Sequence, residues 1–278
     1  MSMAADDRYF AARGTNLRYR DDGRGSAIVL VHGWALDLDL WHPQVAGLIP
    51  PYRVIRWDRR GFGLSSGEPG IANDVADIRA LCQHLGIKQA AFVGMSQGAR
   101  VICALAAAAP SLIACLVFDG SPDLTSRPGR TANDVPLERF RSLVSEGDSE
   151  RFRSEWLSHP MSQLNTRDPA ANASLRTMIA RYPANDLLQA HVSTAAEPAL
   201  EAVISAQIPA LIINGALDLQ TRKDAGLELT RALPRSEHVS VSQAGHLANL
   251  DNPAAYNAVL RDFLSRHLVP AATALPYL

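Results

Sequence analysis

Three side chains far apart in the chain have the types and local settings needed for nucleophilic catalysis. Ser96 sits in Gly94-Met95-Ser96-Gln97-Gly98, a G-x-S-x-G pattern, between an apolar run that reads as a strand and an alanine-rich run that reads as a helix. A strand-to-helix turn that sharp lifts the serine hydroxyl above the sheet, and glycines flank it because side chains there would meet neighbouring backbone. The free N–H groups at the start of the following helix would face developing negative charge. A serine hydroxyl needs a base to attack at neutral pH. His246 follows the last predicted strand, behind Gly245, which lets the loop turn back over the sheet. The base needs an acid to hold its tautomer. Asp218 supplies one, just after Leu211–Leu217, at the strand edge where open sheets bind ligands. Ser96, Asp218, His246 is nucleophile, acid, base in that order. Backbone amides of Gln97 and of Trp34, in the turn Val31-His32-Gly33-Trp34, are placed to hold the oxyanion.

Other residues match less well. Gly63-Leu64-Ser65-Ser66-Gly67 repeats the letters, but it follows the loop Asp58–Phe62 instead of a strand, and Pro69 and Gly70 stand where a helix is required. It reads as a loop. Asp119, at the end of another strand, is the alternative acid, with geometry to decide. Asp224 and Asp251 read as ordinary loop or helix acids, and His32 as a brace for its own loop.

The elements that position these residues alternate. Tyr9–Tyr19 reads as a hairpin around Gly14-Thr15-Asn16. The unbroken apolar run Ala27–Val31 suits a central strand covered on both faces. Tyr52–Trp57, Ala90–Gly94, Leu112–Phe118, Ala210–Asn214 and His238–Val241 are further strands. Asn73–Leu85, with Asn73 as its expected N-cap, Gln97–Ala109 and Pro253–His267 are helices. This alternation predicts an α/β fold: a mostly parallel central sheet with helices on both faces. Between about Ser121 and Leu200 the strand-like runs stop and Arg-rich helical stretches broken by prolines take over. We therefore divide the chain into a first core part at 1–121, an inserted helical cap at 122–200 and a second core part at 201–278. Phe140, Phe152, Trp156, Met161, Met178 and Tyr182 give the cap enough apolar bulk to pack on the core and wall a pocket, or to form a small core of its own.

Composition excludes other classes. With 278 residues, 47% hydrophobic and 20% charged, the chain has ample material for a core and is not disordered. Lys+Arg total 27 against 28 for Asp+Glu, a net charge of −1, and no basic stripe is present, so a grip on nucleic acid is not expected. The first residues, Met1–Arg8, carry early acids and no apolar stretch, unlike a secretory signal. Runs such as Val101–Ala109 fall well short of the roughly 18 residues of a membrane span. Cys82, Cys103 and Cys115 lie among apolar neighbours, which fits buried, reduced thiols in a cytoplasmic protein. No cysteine spacing suggests zinc.

Five blocks in order carry a resemblance: His32-Gly33-Trp34, Trp57–Ser65, Gly94–Gly98, Gly215–Asp218 and Gly245-His246. With these the chain resembles the α/β-hydrolase fold superfamily. The segment Leu40–Gln44 and the cap size make it similar to small bacterial esterases, enol-lactone hydrolases and cofactor-free haloperoxidase-like hydrolases. Where enol-lactonases often carry Ser-Met-Gly-Gly, this chain has Ser96-Gln97-Gly98-Ala99. Haloalkane dehalogenases and epoxide hydrolases need an aspartate where Ser96 stands. The resemblance implies that Trp57–Ser65 is structural, and that the enzyme is a serine hydrolase of a small-molecule carboxylic ester or lactone working through an acyl-enzyme without metal or organic cofactor. The same triad would serve a C–C bond hydrolase of vinylogous diketones or a thioesterase, and a small-molecule receptor on a hydrolase fold is the alternative outside enzymes. The cap's nine arginines, Arg127 to Arg181, are matched by ten acids, which reads as solvated salt-bridge faces, although one turned inward could pair a substrate carboxylate. The apolar tail Leu268–Leu278 suits packing on the core or contact with a second copy.

Overall fold

The computed structural model describes residues 6–124, 135–189 and 200–268; Arg127, Arg130 and the tail beyond Leu268 lie outside them. Strands β1 (Arg8–Ala12) and β2 (Thr15–Gly23) form the expected antiparallel hairpin. Arg13 and Gly14 at its tip have φ of 50° and 79°, the two left-handed residues of a type I′ turn. Then come β3 (Ala27–Val31), α1 (His42–Leu48), β4 (Arg53–Trp57), α2 (Ile71–His84), β5 (Ala90–Met95), α3 (Gln97–Ala108) and β6 (Ile113–Asp119). Helices α4 (Leu137–Ser145), α5 (Ser149–Ser158), α6 (Pro169–Arg181) and α7 (Asn185–Leu188) follow, and α8 (Leu200–Ser205) leads back to the sheet. The chain ends with β7 (Ala210–Gly215), α9 (Gln220–Ala232), β8 (Ser236–Val241), α10 (Ala248–Asp251) and α11 (Pro253–His267).

The eight strands form one sheet in the order β1-β2-β4-β3-β5-β6-β7-β8. β2 runs antiparallel to both its neighbours, and every pairing from β4 through β8 is parallel. All five residues of β3 are buried. Ile28 and Leu30 join an apolar cluster on one face, and Ala27, Val29 and Val31 join another on the opposite face, the alternation that a pleated strand imposes. Residues of α1 and α11 cover the first face, and residues of α2, α3 and α8 the second. Phe140, Phe152, Trp156 and Tyr182 belong to the same cluster as Ile28 and Leu30, so these residues of the segment between β6 and β7 share their core with one face of the sheet.

Two local expectations change. Asn73 does not cap α2: the helix starts at Ile71 after Gly70, and the Asn73 amide donates to the Glu68 carbonyl at 3.1 Å. The Pro69-Gly70 break sets the start two residues earlier than the polar cap signal suggested. Helix α9 was not anticipated, because only Arg222, Ala225, Gly226 and Leu229 are buried along it, too thin an apolar stripe to stand out among its charges.

Candidate active site

β5 ends at Met95 and α3 begins at Gln97, leaving Ser96 alone in the turn with φ 51° and ψ −112°. That strained backbone is held by packing. A Cβ at Gly94 would lie 2.4 Å from the Gly98 carbonyl oxygen, and one at Gly98 would lie 2.3 Å from that of Val31, so neither position admits a side chain. The Ser96 N–H donates to the Asp119 carbonyl at 2.8 Å, fixing the turn to the end of β6.

His246 follows β8 and is buried. Its Nδ1 lies 3.1 Å from each carboxylate oxygen of Asp218, which comes from the turn after β7. Its Nε2 makes no hydrogen bond among the described residues, and Ser96 and His246 face the same cavity of about 610 Å³, a volume suited to a small organic ligand. Catalytic hydrogen bonds often close only once substrate is present. Trp34 and Gln97 lie on the wall of this cavity as well, so the structure brings together all five residues singled out in the sequence. Asp119, the alternative acid, makes no hydrogen bond to His246; it lies fully buried beneath the turn. Burial pushes its pKa well above the ordinary carboxylate range; the Tyr256 hydroxyl pulls the other way and the charge of Asp218 adds to the rise. The neutral acid is therefore favoured, and a neutral acid does not stabilise a neighbouring imidazolium by charge.

The loop that carries Trp34 is braced from both sides. His32 is fully buried; its Nδ1 is 2.8 Å from the Gly33 carbonyl, and its Nε2 accepts the Arg59 N–H at 2.9 Å. Burial, with Arg59 nearby, holds its pKa well below the usual value, so the ring is neutral, with Nδ1 the donor. The Arg59 guanidinium grips Asp74 through Nε and Nη2 at 2.9 and 2.7 Å, and its Nη1 donates to Gln97 Oε1 at 2.7 Å. The Trp34 indole reaches the helices that follow β6. Its N–H donates to Asp186 at 2.7 Å, and the Tyr182 hydroxyl donates to the other Asp186 oxygen. The rings of Phe140, Phe152, Trp156 and Tyr182 surround it with centroid separations of 4.9 to 6.3 Å.

Three positioning residues had no clear signal in the sequence. Gly120 has φ 52°, and a Cβ there would lie 2.9 Å from His246 Cε1. Asp251 is no ordinary acid: it accepts from the Gly245 N–H at 2.7 Å and from the Asn165 and Thr166 N–H groups at 2.6 and 3.0 Å, tying the His246 loop to the cap. Asp186 holds Trp34. Each works through contacts between segments more than 80 residues apart or through one glycine among many, which a single sequence does not display. Among the described residues, no group of three or more His, Cys, Asp or Glu side chains is arranged to hold a metal ion, and no helix is long and apolar enough to cross a membrane.

A doubly covered parallel sheet, a strained serine between β5 and α3, and a His–Asp pair delivered by the last two strand ends define an α/β-hydrolase. The family model for the alpha/beta hydrolase fold matches residues 26–253, and the chain belongs to that family. A Mycobacterium tuberculosis protein named as a non-heme bromoperoxidase, BpoC, is 30% identical over 257 residues, 90% of this chain and 98% of that protein. A pimeloyl-[acyl-carrier protein] methyl ester esterase of Vibrio parahaemolyticus is 26% identical over 252 residues, again 90% and 98%. The solved enol-lactonase of Burkholderia xenovorans LB400 superposes with a TM-score of 0.76 at 25% identity, covering 93% of this chain and all of that one. The chain is an enzyme of the small bacterial esterase and haloperoxidase type.

Proposed function

We propose that this protein is a serine hydrolase that cleaves a small-molecule carboxylic ester or lactone through an acyl-enzyme. His246 Nε2 takes the Ser96 proton as Oγ attacks the carbonyl carbon. The amides of Trp34 and Gln97 stabilise the tetrahedral oxyanion, each donor contributing about 3 kcal/mol to the transition state. His246 then protonates the leaving alcohol and activates the water that releases the acid, while Asp218 holds the ring and stabilises the imidazolium. The segment 122–200 acts as the cap that shapes the pocket, and cytoplasmic residence suits its three free, buried thiols, which burial pushes up to about 12.

The observation that carries this reading is the Nδ1 of His246 shared between both oxygens of Asp218, with Nε2 left without a hydrogen bond among the described residues and His246 and Ser96 lining one cavity. The names of the relatives, an ester esterase and an enol-lactonase, support the bond type. The test is turnover of p-nitrophenyl esters of graded acyl length beside a set of lactones, with Ser96→Ala as control. The expected result is ester or lactone hydrolysis that Ser96→Ala abolishes; full activity in Ser96→Ala would overturn the assignment.

A further inference from the structure

The charged residues of the cavity wall are unevenly matched. Arg59 is held by Asp74 and Gln97, Arg141 by Glu138, and both oxygens of Asp186 are taken by Trp34 and Tyr182. Arg100 differs. It lies one helical turn along α3 from Ser96, on the wall of the same cavity. It is only partly exposed, and its guanidinium makes no hydrogen bond or ion pair with any described residue. Arg222, buried at the start of α9, lines the same wall with its guanidinium against Met161 Sδ at 3.9 Å. Desolvation disfavours the charge on Arg100, and the neighbouring Arg222 adds repulsion that Asp123 offsets in part. Removing a guanidinium from water is unfavourable unless an anion pairs with it.

We propose that Arg100 is an anion subsite, and that the substrate carries a carboxylate on the portion of the molecule that lies beside Ser96. The planar fork of a guanidinium matches a carboxylate with two parallel hydrogen bonds, where a lysine would offer only a point charge. Half-esters of short dicarboxylic acids present this chemistry: a scissile ester at one end and an anion at the other. The choice of bond rests on the ester-hydrolase reading above; the anion subsite itself does not.

The experiment therefore has a kinetic arm and a binding arm. In the first, kcat/KM is measured for monomethyl glutarate and monomethyl adipate against their dimethyl esters, in the wild type, Arg100→Gln and Arg100→Lys. The ratio of anionic to neutral substrate is expected to fall about tenfold to a hundredfold in Arg100→Gln, the range for one charge-assisted interaction, and to recover in part in Arg100→Lys. In the second, calorimetry compares glutarate, the neutral glutaric diamide and inorganic phosphate on the wild-type protein. Tighter binding of glutarate than of the other two is expected, and phosphate binding as tight as glutarate would show a general oxyanion site and overturn the carboxylate assignment. An unchanged kinetic ratio in Arg100→Gln, or equal binding of glutarate and diamide, would overturn the subsite. Absence of ester and lactone turnover in the wild type would remove the ester reading while leaving the binding arm decisive.

Discussion

Replacing Gly120 with alanine tests whether the imidazole of His246 packs against this backbone. The new Cβ would sit 2.9 Å from Cε1 and 3.0 Å from Nδ1 of the ring, about half an ångström inside the 3.4 Å at which ordinary contact begins. The ring has to move by that amount, and it then cannot keep 3.1 Å to both oxygens of Asp218. A 1 Å misplacement of a reacting group lowers rates by roughly 10²-fold, so kcat is expected to fall about tenfold to a hundredfold with KM little changed. Alanine at a φ of 52° also adds about 1–2 kcal/mol of backbone strain, or roughly 2–8 °C in Tm. Gly86→Ala separates the two effects. Gly86 has φ 67° with nothing within 4 Å of an added Cβ, so it should lower Tm by a similar amount and leave kcat alone. Both variants are assayed for Tm and for kcat and KM on p-nitrophenyl acetate. If Gly120→Ala loses stability as Gly86→Ala does yet keeps kcat within twofold of wild type, the ring is not seated against residue 120 and the reasoning fails.

Two further outcomes are expected. Asp218→Asn should lower kcat by about 10⁴-fold, as loss of the correct imidazole tautomer does, whereas Asp119→Asn, which replaces a neutral buried acid with a neutral amide, should stay within about tenfold of wild type; equal losses in steady-state kinetics would dismiss the assignment of Asp218. Asp37 is raised from 3.8 to about 7 by burial and by Asp58, with Arg181 opposing. Its folded pKa exceeds its unfolded one, so its proton-linked stability is complete below about 4 and is lost as pH rises through about 7. The Tm of wild type minus that of Asp37→Asn should therefore decline between pH 5 and 8; a difference that grows with pH would contradict this.

The strands were legible because each is a short apolar run with turn residues at its ends, and the five apolar residues of β3 suit a strand covered on both faces. Ser96 was legible because chemistry forces its neighbours to be glycine. His246 and Asp218 were legible because they follow strands, and the ends of parallel strands share one edge of the sheet. Helix α9 hid because its buried stripe is thin and includes an arginine. Asp251 hid because its function lies in three N–H groups, two of them on a segment more than 80 residues away, and nothing in its neighbours announces them. The Arg100 guanidinium hid for a related reason: on a helix its direction relative to the cavity depends on which way the elbow aims α3, and that is a property of the assembled sheet.

The indole of Trp34 belongs by sequence to the loop after β3 and by contact to the helices between β6 and β7. Any exchange of the cap for that of a relative would strip this side chain of its acceptor and of the four rings around it. The loop after β3 and the helices that surround its tryptophan are thus not separable modules in this protein. A descendant that acquires a new pocket has to keep Asp186 and its aromatic neighbours or rebuild position 34 in the same stroke, which narrows the routes by which its substrate range can drift.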